Sequence, residues 1–477
     1  MLFNSYAFIL FFAGVVILSR LIPSWTGRKM LLLLMSYAFY AAWNPPFVAL
    51  LWISTVADWY LARNIHNADH PLIRKLNLAC SLLVNLGLLA FFKYGNFILE
   101  NVAHLESLFG STYQPVRMNI VLPVGISFYT FQTLSYTLDI YRNKARPWHS
   151  FLDYALYVTF FPQLVAGPIV RAVDFLPQCE TPRIASSKQL GWGLTLCVIG
   201  LFNKMVIADL FLSPVAEAVF DSNLRCGMIQ AWAGTLAFSG QIFCDFSGYS
   251  TCAIGVALCL GFALPDNFKF PYAAVGFSDF WRRWHISLST WLKDYLYITL
   301  GGNRRGRLRT YVNLMMTMLI GGLWHGASWL FVIWGGLHGL YLVVERLVVR
   351  VASTGKRSWE NGFLRIGLAM LTYFLVCVAW VFFRAKTLSR AFSLVRSLFD
   401  FKHLSIAGSG PGRPDYDFVL FITVAMLVIH WCLSKTTLEN AFAWCPMWLK
   451  TVAVGFMLYC LVTSFTGEDR AFIYFQF

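Results

Sequence analysis

Two stretches of this sequence put hydrogen-bonding and ionisable side chains where the surroundings are apolar. The first runs Asp279, Phe280, Trp281, Arg282, Arg283, Trp284, His285, Ile286, Ser287, continues to Lys293 and Asp294, and ends in Gly301-Gly302-Asn303-Arg304-Arg305. The second is Gly321-Gly322-Leu323-Trp324-His325-Gly326, followed by Trp334, Gly335, Gly336, His338 and Gly339. An ionisable group inside an apolar span costs several kcal/mol unless it meets a partner or a polar cavity, so such groups are functional candidates. Imidazole exchanges a proton near neutral pH, and flanking glycines allow backbone or substrate to come close. The chemistry this pattern fits is general acid–base catalysis. A single histidine on an apolar face is also a common hydrogen-bonded core residue, and spacing alone does not lift His325 above that reading.

The elements that carry these residues must be membrane helices. Of 477 residues 58% are hydrophobic, 17% aromatic and 13% charged, with mean hydropathy +0.60, against about 25% charged in a soluble domain. A water-soluble globular enzyme is excluded. Apolar runs recur without a long polar interval, so the expectation is one all-α, polytopic membrane domain over residues 1–477. Candidate spans lie near 2–19, 29–43, 46–62, 76–94, 118–138, 190–212, 227–247, 250–264, 311–324, 327–345, 365–383, 418–434 and 448–465. Several fall short of the ~20 residues a crossing needs, which gives about 11–14 transmembrane helices.

The net charge of +15 reads as cytoplasmic loops and anionic headgroups as neighbours, not as nucleic-acid binding. Arg20, Arg28 and Lys29 follow the first span, Arg63, Arg74 and Lys75 the third, and Arg142, Lys144 and Arg146 the fifth. That alternation places the N-terminus outside, with Asn44-Pro45-Pro46 and Glu100 to Arg117 as outer loops. Leu2 to Leu18 lacks a basic lead and a small-residue cleavage site, so it is expected to stay as the first helix. Residues 151–170 contain Pro162, Gly167 and Pro168 and are expected to be a re-entrant hairpin, which is tolerable only when packed in protein or lining a wet cavity. Residues 387–401 suit an amphipathic helix, and Gly408 to Asp417 a loop. The 11 Cys, such as Cys80, Cys197, Cys252, Cys259, Cys377 and Cys460, show no metal-site spacing and read as buried reduced thiols.

Residues 279–293 are expected to form a helix at the membrane interface, with tryptophans at headgroup level. The apolar run 311–324 would span about 21 Å at 1.5 Å per residue, short of a crossing, which leaves His325 at membrane depth. On one regular helix His338 would sit roughly 140° around from His325 and need not share its site.

Several motifs resemble the membrane-bound O-acyltransferase (MBOAT) family, and within it the alginate O-acetyltransferase type of membrane subunit. They are Met1 to Ser5, Gly125 to Gln132, Phe161 to Ile169, Asp245 to Ser250, Phe280 to His285, Leu300 to Arg304, Gly322 to Ala327 and the terminal Phe472 to Phe477. The resemblance implies a ring of tilted helices, with re-entrant and interfacial helices, around a central funnel. It implies that His325 is the essential histidine and His285 the second histidine of the site. Asn303, Arg282, Arg283, Arg304, Trp324 and Tyr249 stand as candidates to bind donor or substrate, with Arg305 and Arg307 nearby; the arginines serve topology equally well. No metal and no bound cofactor is expected.

Family precedent further implies a multi-pass protein of the bacterial inner membrane with a periplasmic N-terminus. It would take acetyl from acetyl-CoA, with His325 as base, and pass it across for O-acetylation of a secreted exopolysaccharide such as alginate or cellulose. Absence of a G-x-S-x-G elbow favours direct transfer over an acyl-enzyme. Outer loops this short would need a periplasmic or membrane-anchored partner with an esterase-like domain. The alternatives are a relative acting on teichoic acid or lipid, or a transporter or export scaffold; a transporter would show paired broken helices in two halves, and these are missing.

Overall fold

The computed structural model describes residues 1–110, 113–222, 225–352, 362–404, 415–464, 470 and 472–473. Every regular element among them is helical, the arrangement that satisfies backbone hydrogen bonds without water. Pro71–Ser107, Ser187–Phe220, Met228–Cys259, Trp329–Arg350, Gly362–Arg384 and Tyr416–Leu433 are long and apolar enough to cross a membrane, and Tyr6–Leu21 and Met447–Thr463 are shorter apolar helices. The protein is a multi-pass membrane protein. Its described residues group into two compact units, 1–197 with 253–265, and 198–252 with 266–477.

The first unit contains α1 (Tyr6–Leu21), α2 (Trp25–Ala41), α3 (Val48–Asn67), α4 (Pro71–Leu89), α5 (Gly95–Ser107), α6 (Ile126–Tyr141), α7 (Phe151–Thr159) and most of α8 (Ser187–Leu201). The expected outer loop Glu100 to Arg117 is partly helix, because the chain passes from a π turn at Ala90–Tyr94 straight into α5, which runs to Ser107. The hairpin near 151–170 is broken as expected. α7 ends after 9 residues, and one turn, Phe161–Leu164, precedes irregular backbone buried in protein. The Gln163 side-chain amide donates to the Tyr157 carbonyl at 2.7 Å, and the Tyr157 hydroxyl reaches the Val170 carbonyl at 3.0 Å, so the broken segment is satisfied internally. Deeper in, the Asp58 carboxylate accepts from the Ser81 hydroxyl at 2.5 Å and the Asn85 amide at 2.8 Å. Lys29 is paired with Asp153.

The second unit takes most of α9 (Met228–Cys259), then α10 (Phe277–Arg283), α11 (Ile286–Trp291), α12 (Arg307–His325), α13 (Trp329–Ala352), α14 (Gly362–Arg384), α15 (Leu388–Leu398), α16 (Tyr416–Leu433) and α17 (Met447–Thr463). The separate spans expected at 227–247 and 250–264 are one 32-residue helix. Gly248, the weak point between them, is held because it faces Gly200, where a Cβ would lie 2.5 Å from the Gly248 carbonyl oxygen. The interfacial helix expected over 279–293 is interrupted between α10 and α11 by Trp284 and His285. α15 buries Ala391, Leu394 and Leu398 along one stripe, the expected amphipathic pattern. Of the loop expected at Gly408 to Asp417, residues 408–414 lie outside the described residues, while Asp415 already caps α16 through the Phe418 amide. The cysteines are free thiols, but Cys80 is exposed and Cys197 and Cys460 are half-buried, because their helices present those faces outward.

α12 and α13 form the tightest helix pair of the unit. A Cβ on Gly322 would sit 2.2 Å from the Phe331 carbonyl oxygen, and one on Gly335 2.2 Å from that of Met318. Small residues let the two backbones touch, the usual basis of helix pairing in lipid. Gly322→Ala is therefore expected to force the pair apart and cost about 1–3 kcal/mol. Gly367→Ala in α14, with open space around it, is expected to be neutral; thermal unfolding of the purified variants in one detergent compares them.

At the end of the segment Ser187–Phe220, Asp221 takes both Arg384 Nη atoms at 3.1 Å and Lys386 at 3.2 Å. Partial burial works to raise this carboxyl, but the bonds to Arg384 and Lys386 outweigh it and hold Asp221 below its usual value. A folded-state value below the unfolded one means stability that is present above the unfolded value and lost as pH falls through the folded one. Melting midpoints of wild type and Asp221→Asn are expected to differ by the equivalent of about 0.5–1 kcal/mol near neutral pH and to converge as pH falls below the ordinary Asp value of about 3.9.

Candidate functional site

His325 is the last residue of α12. The helix starts at Arg307, earlier than the apolar run 311–324 implies, so His325 lies about 27 Å along it, still short of a ~30 Å hydrocarbon core. Gly326 then adopts extended backbone, and the Ser328 hydroxyl accepts from the Leu330 amide at the start of α13. His325 is 3% exposed. Its ring meets Trp324 and Trp334, each at 5.0 Å between centroids, and Phe383 at 5.4 Å.

His285 occupies the joint between α10 and α11 with φ +43° and ψ +56°, a left-handed conformation uncommon for a residue with a Cβ. A loop residue holds it there. The Asn267 side-chain oxygen accepts from the Ser287 amide at 3.3 Å and the Ser287 hydroxyl at 2.9 Å, and lies 3.1 Å from His285 Nδ1. A backbone N–H can only donate, so the atom it meets is the amide oxygen, and the neutral imidazole must therefore carry its proton on Nδ1. The lone pair then belongs to Nε2. The backbone is joined as well, since the Ile286 amide donates to the Asn267 carbonyl and the Lys269 amide to that of Arg283, both at 2.9 Å.

The two imidazoles are 6.4 Å apart between centroids. At that spacing no ring nitrogen of one comes closer than about 4 Å to a nitrogen of the other, too far for a hydrogen bond between them and suited to flanking a third group. Trp324 lies 6.0 Å from His285 as well as against His325. Phe246 of α9 stands edge-on to His285 at 4.7 Å. The site is thus a pair of histidines in an aromatic, low-dielectric box, where a proton transfer or a developing charge is felt strongly.

The remaining sequence candidates scatter around this pair. Tyr249 is one layer away, tilted against Phe472 at 5.0 Å, which in turn packs on Phe246 at 5.5 Å. Arg283 is engaged by Asp279 and the Ser434 carbonyl, both at 3.0 Å, which gives it a holding role. Arg282, Asn303, Arg304, Arg305 and Arg307 are exposed. His338 belongs to α13 and not to the helix of His325, because the chain turns at Gly326–Ser328, and it lies 4.8 Å from the Trp334 ring that covers His325. Of the terminal motif, Phe472 and Ile473 are buried on the bundle, and the Ile473 amide donates to Asp245 at 2.8 Å; residues 471 and 474–477 lie outside the described residues.

Sequence reasoning missed Asn267, which sits in a connector 18 positions before His285 with no motif to flag it. It also missed Glu345, although an acid at the end of an apolar run was a readable signal. Glu345 accepts from the Phe277 and Ser278 amides at 2.6 and 2.9 Å and so anchors the start of α10. Asn313, buried on α12, donates to the Gly302 carbonyl at 2.9 Å and holds the Gly301-Gly302-Asn303 turn.

A model of the membrane-bound O-acyltransferase family matches residues 82–377, and the chain belongs to that family. It is an acyltransferase. The chain is similar to a peptidoglycan O-acetyltransferase of Helicobacter pylori, 35% identical over 100% of this chain and 98% of the relative. It is similar to a probable alginate O-acetylase of Pseudomonas putida, 39% identical over 84% of this chain and 81% of the relative. A teichoic acid D-alanyltransferase of Streptococcus thermophilus is 28% identical over 51% of this chain and 61% of the relative.

Removing the Asn267 oxygen should free the His285 ring without touching the box. Asn267→Ala is expected to lower the acyl-transfer rate about 10- to 100-fold, less than the roughly 10²–10⁴-fold that a general acid–base group itself contributes, while Asn267→Asp, which keeps the acceptor, retains more. Single-turnover transfer rates on purified protein, read beside thermal stability, check this.

Proposed function

We propose that this protein is an O-acetyltransferase that moves acetyl from acetyl-CoA to a glycan hydroxyl outside the cytoplasm of a bacterium, acting in the inner membrane. The observation that carries the reading is the buried pair His285 and His325, with the Asn267 oxygen fixing the protonation of His285. In the reaction, His325 takes the proton of the attacking hydroxyl, the oxygen forms the ester bond, the carbon–sulfur bond of the thioester breaks, and the proton returns to the departing thiolate. His285, with its lone pair on Nε2, orients the hydroxyl; in the neutral form that nitrogen cannot donate to an oxyanion. The Trp334 indole N–H, buried beside His325 and without an acceptor among the described residues, supplies a donor for the developing charge. The exposed Arg282, Arg304 and Arg305 are suited to coenzyme A phosphates.

The acceptor on this reading is a secreted exopolysaccharide, alginate or cellulose, reached through a periplasmic or membrane-anchored partner with an esterase-like domain. A second acceptor, peptidoglycan, is favoured by the end-to-end match to the Helicobacter pylori relative. The test is the acetyl content of secreted polysaccharide and of purified cell wall from cells carrying wild type or His325→Ala, at matched membrane levels. Acetate is expected to vanish from one of the two polymers, which names the acceptor. Unchanged acetate in both overturns the proposal.

A further inference from the structure

The first unit holds a cluster of positive charge that the histidine chemistry does not use. Arg20, Arg28 and Arg183 line one shallow, solvent-open cleft together with Ser19 and Trp25. No carboxylate lines it. The ion pairs of the described residues leave these three arginines out, while nearby Lys29 has Asp153.

Two of the guanidiniums are set for a ligand. Arg28 is only 8% exposed, and its Nε donates to the Ile22 carbonyl at 2.7 Å, which fixes the plane of the fork and leaves both Nη groups for an anion. Arg183 Nε is buried and meets no acceptor among the described residues. A guanidinium held partly out of water without a counter-charge is costly, and a single anion in the cleft would offset that cost for Arg28 and Arg183, with the exposed Arg20 adding a third positive charge. The walls are already rigid. The Trp25 indole donates to the Cys179 carbonyl at 2.7 Å and stacks on Phe262, and Gln178 clasps both the amide and the carbonyl of Ala263 at 2.9 Å.

Where the cleft lies narrows the ligand. α1 stops at Leu21 and α2 starts at Trp25, so the arginines gather at the ends of two apolar-rich helices, beside an interfacial tryptophan, at the depth of lipid headgroups. We propose that this cleft binds a phosphate group, with the headgroup of an anionic phospholipid as its source. Bidentate arginine contacts to phosphate oxygens fit the fork geometry. The bound lipid ties α1, α2 and the segment around Arg183 together at one membrane surface.

The experiment uses the full chain in nanodiscs of phosphatidylglycerol and phosphatidylcholine, with retained lipid read by native mass spectrometry after extraction. Wild type is expected to retain phosphatidylglycerol in preference. Retention is expected to fall about fivefold for each arginine removed in Arg20→Gln and Arg183→Gln, with Arg183→Lys in between. Arg20 is exposed, so its variant does not threaten folding, and gel filtration confirms the fold of each. In a second arm, inorganic phosphate is added to lipid-free protein in detergent. Stabilisation of wild type and not of Arg183→Gln, without any phosphatidylglycerol preference, keeps the phosphate site and assigns it a soluble source. Equal lipid retention by wild type and both glutamine variants, with no response to inorganic phosphate, overturns the proposal.

Discussion

A single amide oxygen, that of Asn267, decides how His285 faces the site. A residue with a Cβ held at positive φ costs about 1–3 kcal/mol and persists only where its surroundings over-determine it. Here the surroundings are three contacts on one oxygen and a backbone bond to the carbonyl of the same Asn267. The bend lets α10 and α11 leave in different directions while the imidazole stays inside. The other fixings serve the same bend: Glu345 anchors the start of α10, Arg283 ties its end to Asp279, and the glycine contact of α12 with α13 brings His325 to its place.

Several polar clusters inside both units are closed sets, as an apolar solvent demands. Asp58 is met by a hydroxyl and an amide, and among the described residues no cation pairs with it. Lys204 lies between Asp209 at 3.0 Å and Asp245 at 2.7 Å, on a π stretch, Phe202–Leu212, whose wider turn sets these groups on neighbouring faces. Asp245 also receives the Ile473 amide, so one carboxylate joins α9 to the distant segment at 470–473. The arginine cleft of the first unit is the contrasting case, a set left open on one side.

Much of this was legible in the sequence, and the failures have physical causes. Hydropathy exposed the membrane helices, and the Gly322 to Ala327 motif pointed to the end of α12. Helix continuity was misjudged at Gly248, because the sequence does not reveal that a glycine is braced by another helix. The joint at His285 was read as helix, because local propensity does not disclose an oxygen arriving from residue 267. Asn303 and the surrounding arginines were legible as chemistry, since their types suit a donor's phosphates, while their exposure is set by tertiary packing. Tyr249 was adjacent to the right helix face, one aromatic layer out.

The division of the chain between the units has a consequence for biosynthesis. The first unit is closed by residues 253–265, through Gln178 with Ala263 and Trp25 with Phe262, yet residues 198–252 leave the ribosome first. At about 5–20 residues per second, the early helices wait roughly 3–11 s for their closing segment. During that interval an opening helix pair of the second unit must already be threaded into the bilayer. Insertion of the two halves is interleaved in time, so a defect confined to α9 delays the maturation of both.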